Sequence, residues 1–257
     1  MKFWVVASKK DEAGLNIIRK LHEEGFKNYQ VVEQELIHAE HFDAELDIKG
    51  FVVFASKHAS KETRKTLSIH APGNWHAAEM GGQEGKICKT SALFMKLLFD
   101  ELAKKVKALP GYELTLECTH HGPLIEQPCC FVEIGSTLQE WRDEKAAKIV
   151  AASIIAAIKK YESYKNKQQV KAVIGVGGPH YCPRFTRLEK EGYAFSYVIP
   201  AYALPLSKEM LQQAISRCIE PFDKVIIDWK GLKGEERKQV VEMLASLGVA
   251  WARADKL

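Results

Sequence analysis

Between Glu117 and Pro123 the chain carries a carboxylate, a thiol, a hydroxyl and two adjacent imidazoles, in the order Glu117-Cys-Thr-His-His-Gly-Pro123. These are the groups that take protons from water, hold metal ions or steady developing charge. They close an apolar alternating segment, Tyr112 to Leu116, that reads as a strand, and Gly122-Pro123 then turns the chain. A strand that stops in polar side chains delivers them to the rim of a sheet, where α/β proteins place their chemistry. On a strand neighbouring side chains point to opposite faces, so His120 and His121 are expected to face different ways, one acting and the other supporting.

Three other strand ends carry comparable groups. Phe51-Val-Val-Phe-Ala55 is continuously apolar, as a strand buried on both faces requires, and is expected to end in a loop that suits an anion, with Ser56, Lys57, His58, Ser60, Lys61, Arg64 and Lys65. Lys171 to Gly178 runs into Gly177-Gly178-Pro179-His180, a turn whose backbone N–H groups can approach an anion closely. Lys224 to Trp229 is a third apolar run, ending at Gly231. If these strands run parallel, their loops gather at one edge.

The glycines at 175, 177 and 178 do not fit the dinucleotide fingerprint, and no P-loop is present. A serine hydrolase is disfavoured because G-x-S-x-G is missing. His58, His70, His120, His121 and His180, with Glu117 and Glu133, are enough donors for a metal site, although no short ligand spacing singles out a set. Either a zinc ion or a His–carboxylate pair would activate water for hydrolysis. Cys118 reads as a packed thiol rather than a nucleophile, since nothing in the sequence supplies its activation.

Alternating strands and helices must position these groups. Phe3 to Ala7 reads as a strand, followed by a helix capped by Asp11 and ended at Gly25. Tyr29 to Ile37 alternates as a second strand, and His38 to Gly50 is a polar loop or short helix with His38 and His41 solvated. Leu67 to His70 is a short strand before the Pro72-Gly73 turn and Asn74. Ser91 to Lys107 is an amphipathic helix, and Pro128 to Ile134 is a strand that embeds Glu133 among apolar neighbours. Thr137 is expected to cap one long helix reaching about Tyr161; further helices span Ser207 to Arg217 and about Glu235 to Leu247. The pattern predicts a layered α/β/α fold with a mixed, largely parallel sheet, in a single domain over residues 1–257.

Composition narrows the class. The 257 residues are 46% hydrophobic and 27% charged, which suits an ordinary globular protein, and the net charge of +4 permits a polyanionic partner without demanding one. Lys159 to Lys171 is basic with Tyr161 and Tyr164 interleaved, and reads as a solvated helix end. The apolar run after Lys2 is too short for a signal sequence, and Ala146 to Ile158 falls short of a membrane span. Six scattered cysteines without framework spacing fit reduced thiols in a cytoplasmic protein.

Six segments taken in order add a family resemblance: Phe54-Ala-Ser-Lys-His-Ala-Ser60, Thr66-Leu-Ser-Ile-His-Ala-Pro-Gly-Asn-Trp75, Glu117 to Pro123, Phe131-Val-Glu-Ile-Gly-Ser136, Gly175-Val-Gly-Gly-Pro-His-Tyr181 and Asp228-Trp-Lys-Gly231. Together they resemble the D-aminoacyl-tRNA deacylases of the archaeal and plant type. The resemblance implies hydrolysis of the ester that joins a D-amino acid to the tRNA 3′ end. It implies zinc dependence, tRNA as partner with no obligatory protein partner, and a fold akin to phosphorylases and peptidyl-tRNA hydrolases. It assigns no ligand set; His58, His70 and Glu133 stand as metal candidates.

On this reading His120 or His121 is the base or a metal ligand, and Glu117 orients the imidazole. Asn74, or the N–H groups of Gly177 and Gly178, hold the oxyanion or the terminal ribose. Lys57, Lys61 and Arg64 meet acceptor-stem phosphates, and Gly73, His180 and Lys230 complete the substrate-binding set. Discrimination against L-substrates rests on shape. The alternatives are a peptidyl-tRNA hydrolase-like esterase and a non-catalytic, phosphorylase-like nucleotide- or RNA-binding protein.

Overall fold

A computed structural model describes residues 1–164 and 171–257. In chain order the elements are β1 (Phe3–Ser8), α1 (Glu12–Glu23), β2 (Tyr29–Val32), α2 (Phe42–Glu45), β3 (Phe51–Ala59), β4 (Thr66–His70), α3 (Ala92–Lys105), β5 (Glu113–Leu116) and β6 (Cys129–Ser136). They continue with α4 (Leu138–Trp141), α5 (Glu144–Tyr164), β7 (Ala172–Val176), α6 (Pro183–Lys190), β8 (Phe195–Ile199), α7 (Lys208–Ser216), β9 (Phe222–Ile227), α8 (Gly234–Ser246) and β10 (Trp251–Arg253).

The fold is α/β. A six-stranded sheet has the order β2-β1-β3-β6-β4-β5, parallel except where β4 runs antiparallel to β6. The strands that lead to Gly177 and Asp228 lie in a second, all-parallel sheet of order β10-β9-β7-β8. One apolar cluster joins the two: Phe94 of α3 packs on Phe3 and Phe51 with ring centroids 4.8 and 4.7 Å away, and the same cluster takes in Ile174, Phe195 and Tyr197. The alanines of α5 at 146, 147, 151 and 157 are fully buried, which lets that helix lie close against the sheet. Phe42 and Ile48 cover the opposite face over Phe54 and Phe131.

Three boundaries differ from the sequence expectation. The second strand stops at Val32, and Leu36–His38 forms a 3-10 turn instead. β3 does not end at Ala55; it runs to Ala59 because its ladder with β6 continues to Ser136, so Ser56, Lys57 and His58 sit on a strand rather than a loop. Asp11 reinforces this, its Oδ2 accepting from Ser56 Oγ and the Lys57 N–H while Oδ1 caps α1 through Gly14. Thr137 caps only the four-residue α4; Asp143 then caps α5 through the Lys145 and Ala146 N–H groups. Helix α6 and strand β8 have no counterpart in the sequence reading; α6 begins with Pro183 at its first position, where the missing N–H costs nothing.

Other expectations agree. The six cysteines are free, five of them buried, and His38 and His41 are exposed. Lys165 and Lys167 of the basic stretch lie outside the described residues. Among the described residues, no helix is long and apolar enough to cross a membrane.

Glu189 of α6 is fully buried, with Oε2 accepting from the Phe195 N–H at 3.0 Å and Oε1 left without a hydrogen-bond partner. Burial pushes its carboxyl up to about 8. The folded state therefore keeps a proton that the unfolded chain releases above about pH 4.5, so stability falls as pH rises from there to about 8. Glu189→Gln, which keeps an acceptor for Phe195, is expected to match the parent near pH 5 and exceed it by about 2–4 kcal/mol at pH 8. Thermal unfolding at the two pH values measures this; equal unfolding of parent and variant at pH 8 would contradict it.

Candidate active site

Five histidines and two carboxylates meet at one end of the six-stranded sheet. Glu117 follows β5, His58 and Glu133 come from adjacent strands β3 and β6, His70 ends β4, and His180 arrives on the turn after β7. Ring centroids lie 4.2 Å apart for His120–His121, 4.5 Å for His70–His120 and for His120–His180, and 4.9 Å for His70–His121. The expectation that His120 and His121 face different ways fails. The strand has already ended at Leu116, and His121 adopts a left-handed backbone with φ of 48°, which folds its ring back beside that of His120. The Gly73 N–H holds this bend by donating to the His121 carbonyl at 2.8 Å.

The cluster divides by charge. His58 Nδ1 lies 3.2 Å from Glu117 Oε1 and 3.4 Å from Glu133 Oε2. Burial opposes its charge, yet the two carboxylates outweigh burial and push it up to about 11. His180 Nε2 donates to Glu117 Oε2 at 3.0 Å; burial again opposes, and contact with Cys118 and Glu117 lifts it to about 10. Burial disfavours the charge on both carboxylates, but His180 and His58 hold Glu117 well below the usual carboxylate range, and the His58 cation lowers Glu133. The two cationic imidazoles thus balance the two anions.

His120 and His121 are the opposite case. Burial, then neighbouring imidazoles, keeps His120 well below the ordinary histidine value and His121 down to about 4. Each of three rings has its Nδ1 against a backbone carbonyl: His70 on Ala71 at 3.3 Å, His120 on Cys118 at 2.8 Å and His121 on Gly122 at 2.6 Å. A carbonyl only accepts, so Nδ1 carries the proton and Nε2 is the remaining ligand atom in each. His70 Nε2 is buried with no hydrogen-bond partner. His70, His120 and His121 offer ligand atoms within 4.8 Å of one another. Three other sets satisfy the same distance: Cys118-His120-His180, His58-Glu117-His180 and His70-Glu117-Glu133.

A cavity of about 560 Å³ opens over this cluster. His58, His120, His121, Glu133 and His180 line it, as do Lys57, Lys61 and Tyr181. Leu36, Ile37 and Met80 give it an apolar wall, so the segment before residue 50 contributes to the site. That wall is fastened tightly. Glu40 accepts from the Gly82 and Leu124 N–H groups at 2.7 and 2.9 Å, and a Cβ on Gly122 would stand 2.4 Å from the Ile37 carbonyl.

Several expected residues lie elsewhere. Asn74 does not face the cavity; its amide donates to the Gly81 and Gln83 carbonyls and knits that loop. The Gly177 N–H is spent on the Ile199 carbonyl, and Gly178 packs against Asp228 and Gly231, so neither presents a donor to the cavity. Gly73 supports the site from behind, where a Cβ would meet Ile87 at 2.5 Å. Lys230 lines separate surface grooves, and Arg64 lines a groove next to the cavity rather than the cavity itself. Cys118 is buried, its Sγ 3.4 Å from His180 Nδ1 and 3.1 Å from Tyr202 Oη, and it is not on the cavity wall.

Tyr181 is the residue sequence reading missed. Its hydroxyl lies 2.9 Å from His58 Nε2. The signal was its place directly after His180, at a strand end already marked.

Comparison with known proteins gives a consistent result. Residues 46–252 match the family described as D-aminoacyl-tRNA deacylase. The chain is 32% identical to a D-aminoacyl-tRNA deacylase of Pyrococcus horikoshii, aligning 97% of this chain with 98% of that protein. It is 35% identical to the Thermococcus kodakarensis protein of the same name, with 97% and 98% covered, and 34% identical to that of Methanocaldococcus jannaschii, with 98% and 100% covered. A crystal structure described as a conserved protein of unknown function superposes with a TM-score of 0.88 at 31% identity, covering 99% of this chain and 95% of that one.

Proposed function

The chain belongs to the D-aminoacyl-tRNA deacylase family, and from that membership we infer that its cavity hydrolyses the ester between a D-amino acid and tRNA, releasing both. Neither a peptidyl-tRNA hydrolase-like esterase nor a non-catalytic nucleotide-binding protein finds better support. The cytoplasm, where the substrate is made, is the proposed location, in keeping with six free thiols.

A zinc ion is the proposed cofactor, and the observation that carries it is the set of imidazole ligand atoms on His70, His120 and His121, which lie within 4.8 Å of one another. The donor set fits. All three are imidazoles, each ring is fixed by a carbonyl on its other nitrogen, and the buried Nε2 of His70 otherwise lacks a partner. His58, expected as a ligand, is better placed as a cation between two carboxylates. Bound there, zinc would polarise the ester carbonyl and acidify a water molecule.

The chain's own groups supply the rest. Glu133 lines the cavity beside His70 and is the carboxylate we assign to take the water's proton. His58, charged on both nitrogens, donates through Nε2 to the Tyr181 oxygen, which leaves the phenol proton to meet the developing oxyanion. Collapse of the tetrahedral adduct breaks the ester C–O bond, and the departing ribose oxygen takes the proton from Glu133. Lys57 and Lys61 face the terminal phosphate, and Leu36, Ile37 and Met80 receive the amino-acid side chain.

The test is release of D-tyrosine from D-tyrosyl-tRNA but not of L-tyrosine from its counterpart. Stripping the protein with a chelator is expected to abolish release, and added zinc to restore it. Absence of turnover with D-tyrosyl-tRNA in the presence of zinc would sink the reading, and full activity in demonstrably metal-free protein would remove zinc from it.

A further inference from the structure

A second groove, of about 990 Å³, begins where the catalytic cavity ends; Glu62, Pro179 and Tyr181 line both. Its other walls are β5, α6 and the 3-10 turn that follows α3. Four cations border it, Arg64, Lys107, Arg187 and Lys190, against two acids, Glu62 and Glu113. Two aromatic rings share the lining: Tyr181, with the Arg64 guanidinium over its face at 5.5 Å, and Tyr112, with the Lys65 ammonium over its ring at 5.9 Å.

The cations are not equally committed. Arg64 pairs with Glu62 at 3.1 Å, and Arg187 lies 3.6 Å from Glu191 and donates to the Ala254 carbonyl. Lys107 and Lys190 are exposed and have no ion-pair partner among the described residues. Neither fold nor catalysis uses them. Cations and aromatic rings lining one groove suit a single-stranded nucleic acid, whose phosphates seek charge and whose bases stack.

We propose that this groove binds the single-stranded 3′ segment of tRNA preceding the terminal nucleotide, with phosphates on Lys107, Lys190, Arg64 and Arg187 and a base against Tyr112. The proposal rests on the deacylase reading and extends it. The terminal nucleotide and its ester occupy the first cavity, Tyr181 stands at the border, and the strand leaves between β5 and α6. Continuity of the two hollows at Tyr181 gives the path, and charge selects the occupant.

The experiment compares D-tyrosyl-tRNA with D-tyrosyl-adenosine, which reaches the first cavity only. The double variant Lys107→Ala with Lys190→Ala is expected to raise KM for D-tyrosyl-tRNA roughly tenfold near physiological salt with kcat unchanged. Turnover of D-tyrosyl-adenosine should stay at the parent level, which also shows the variant is folded. The log–log dependence of KM on salt should lose about 0.7 in slope for each lysine removed. A parent-like KM and salt slope for tRNA would overturn the groove while leaving the catalytic reading intact, and so would an equal loss on both substrates. Failure of the unmodified protein on both substrates would remove the deacylase reading and the groove with it.

Discussion

His120→Ala and His121→Ala should each lower turnover of D-tyrosyl-tRNA by about a thousandfold or more, because either change removes one of three proposed zinc donors and the several kcal/mol of charge stabilisation the ion supplies. Stability should change far less, by about 1–2 kcal/mol. Both rings are neutral, and each makes only one hydrogen bond, to a backbone carbonyl, so an alanine strands no charge. Bound zinc, measured on the purified variants, should fall together with activity; a purely structural role would lower the unfolding temperature without this parallel. Full activity and full zinc in both variants would misplace the site. His58→Ala is the less informative change. It removes the cation between two buried carboxylates, a loss of about 3–5 kcal/mol for a broken buried pair, so inactivity there would report unfolding as readily as chemistry.

Tyr181→Phe should lower kcat by about 10²–10³-fold with KM nearly unchanged, the signature of a donor that acts on the transition state and hardly on the ground state. The phenylalanine ring keeps the face that Arg64 covers and the edge contact with His180, whose centroid is 5.3 Å away. Only the hydroxyl is lost. His58 then retains its carboxylate partners but has no oxygen to donate to through Nε2. A variant with parent kcat would show that the oxyanion is held by something else, while a rise in KM alone would place Tyr181 in binding.

How much of this was legible beforehand depends on whether the information is local. Asp11 as a helix cap and the buried run at Phe51 were both readable, because a side-chain oxygen three residues before a helical N–H and an unbroken apolar stretch act over a few residues. Thr137 was misjudged on the same kind of evidence. It does cap a helix, but only the four-residue α4, because Asp143 offers a second cap six residues on and α5 starts there. The polar end of β3 reads as a loop in the sequence because its ladder partner, the far end of β6, stands nearly eighty residues away in the chain.

The sequence by itself determined the alternation of strands and helices, the reduced cysteines, and the five histidines and two carboxylates from which the site is built, since these follow from residue type and short-range spacing. Tertiary structure alone decided which of them meet and what charge each carries. Neighbouring His120 and His121 share a cavity only because the backbone turns left-handed after β5 has ended. His58 is a cation and His121 a neutral donor because one lies between two carboxylates and the other is buried among imidazoles. Charge in a buried cluster depends on distances of a few ångströms between residues that the chain separates by dozens, and spacing along the sequence holds no record of them.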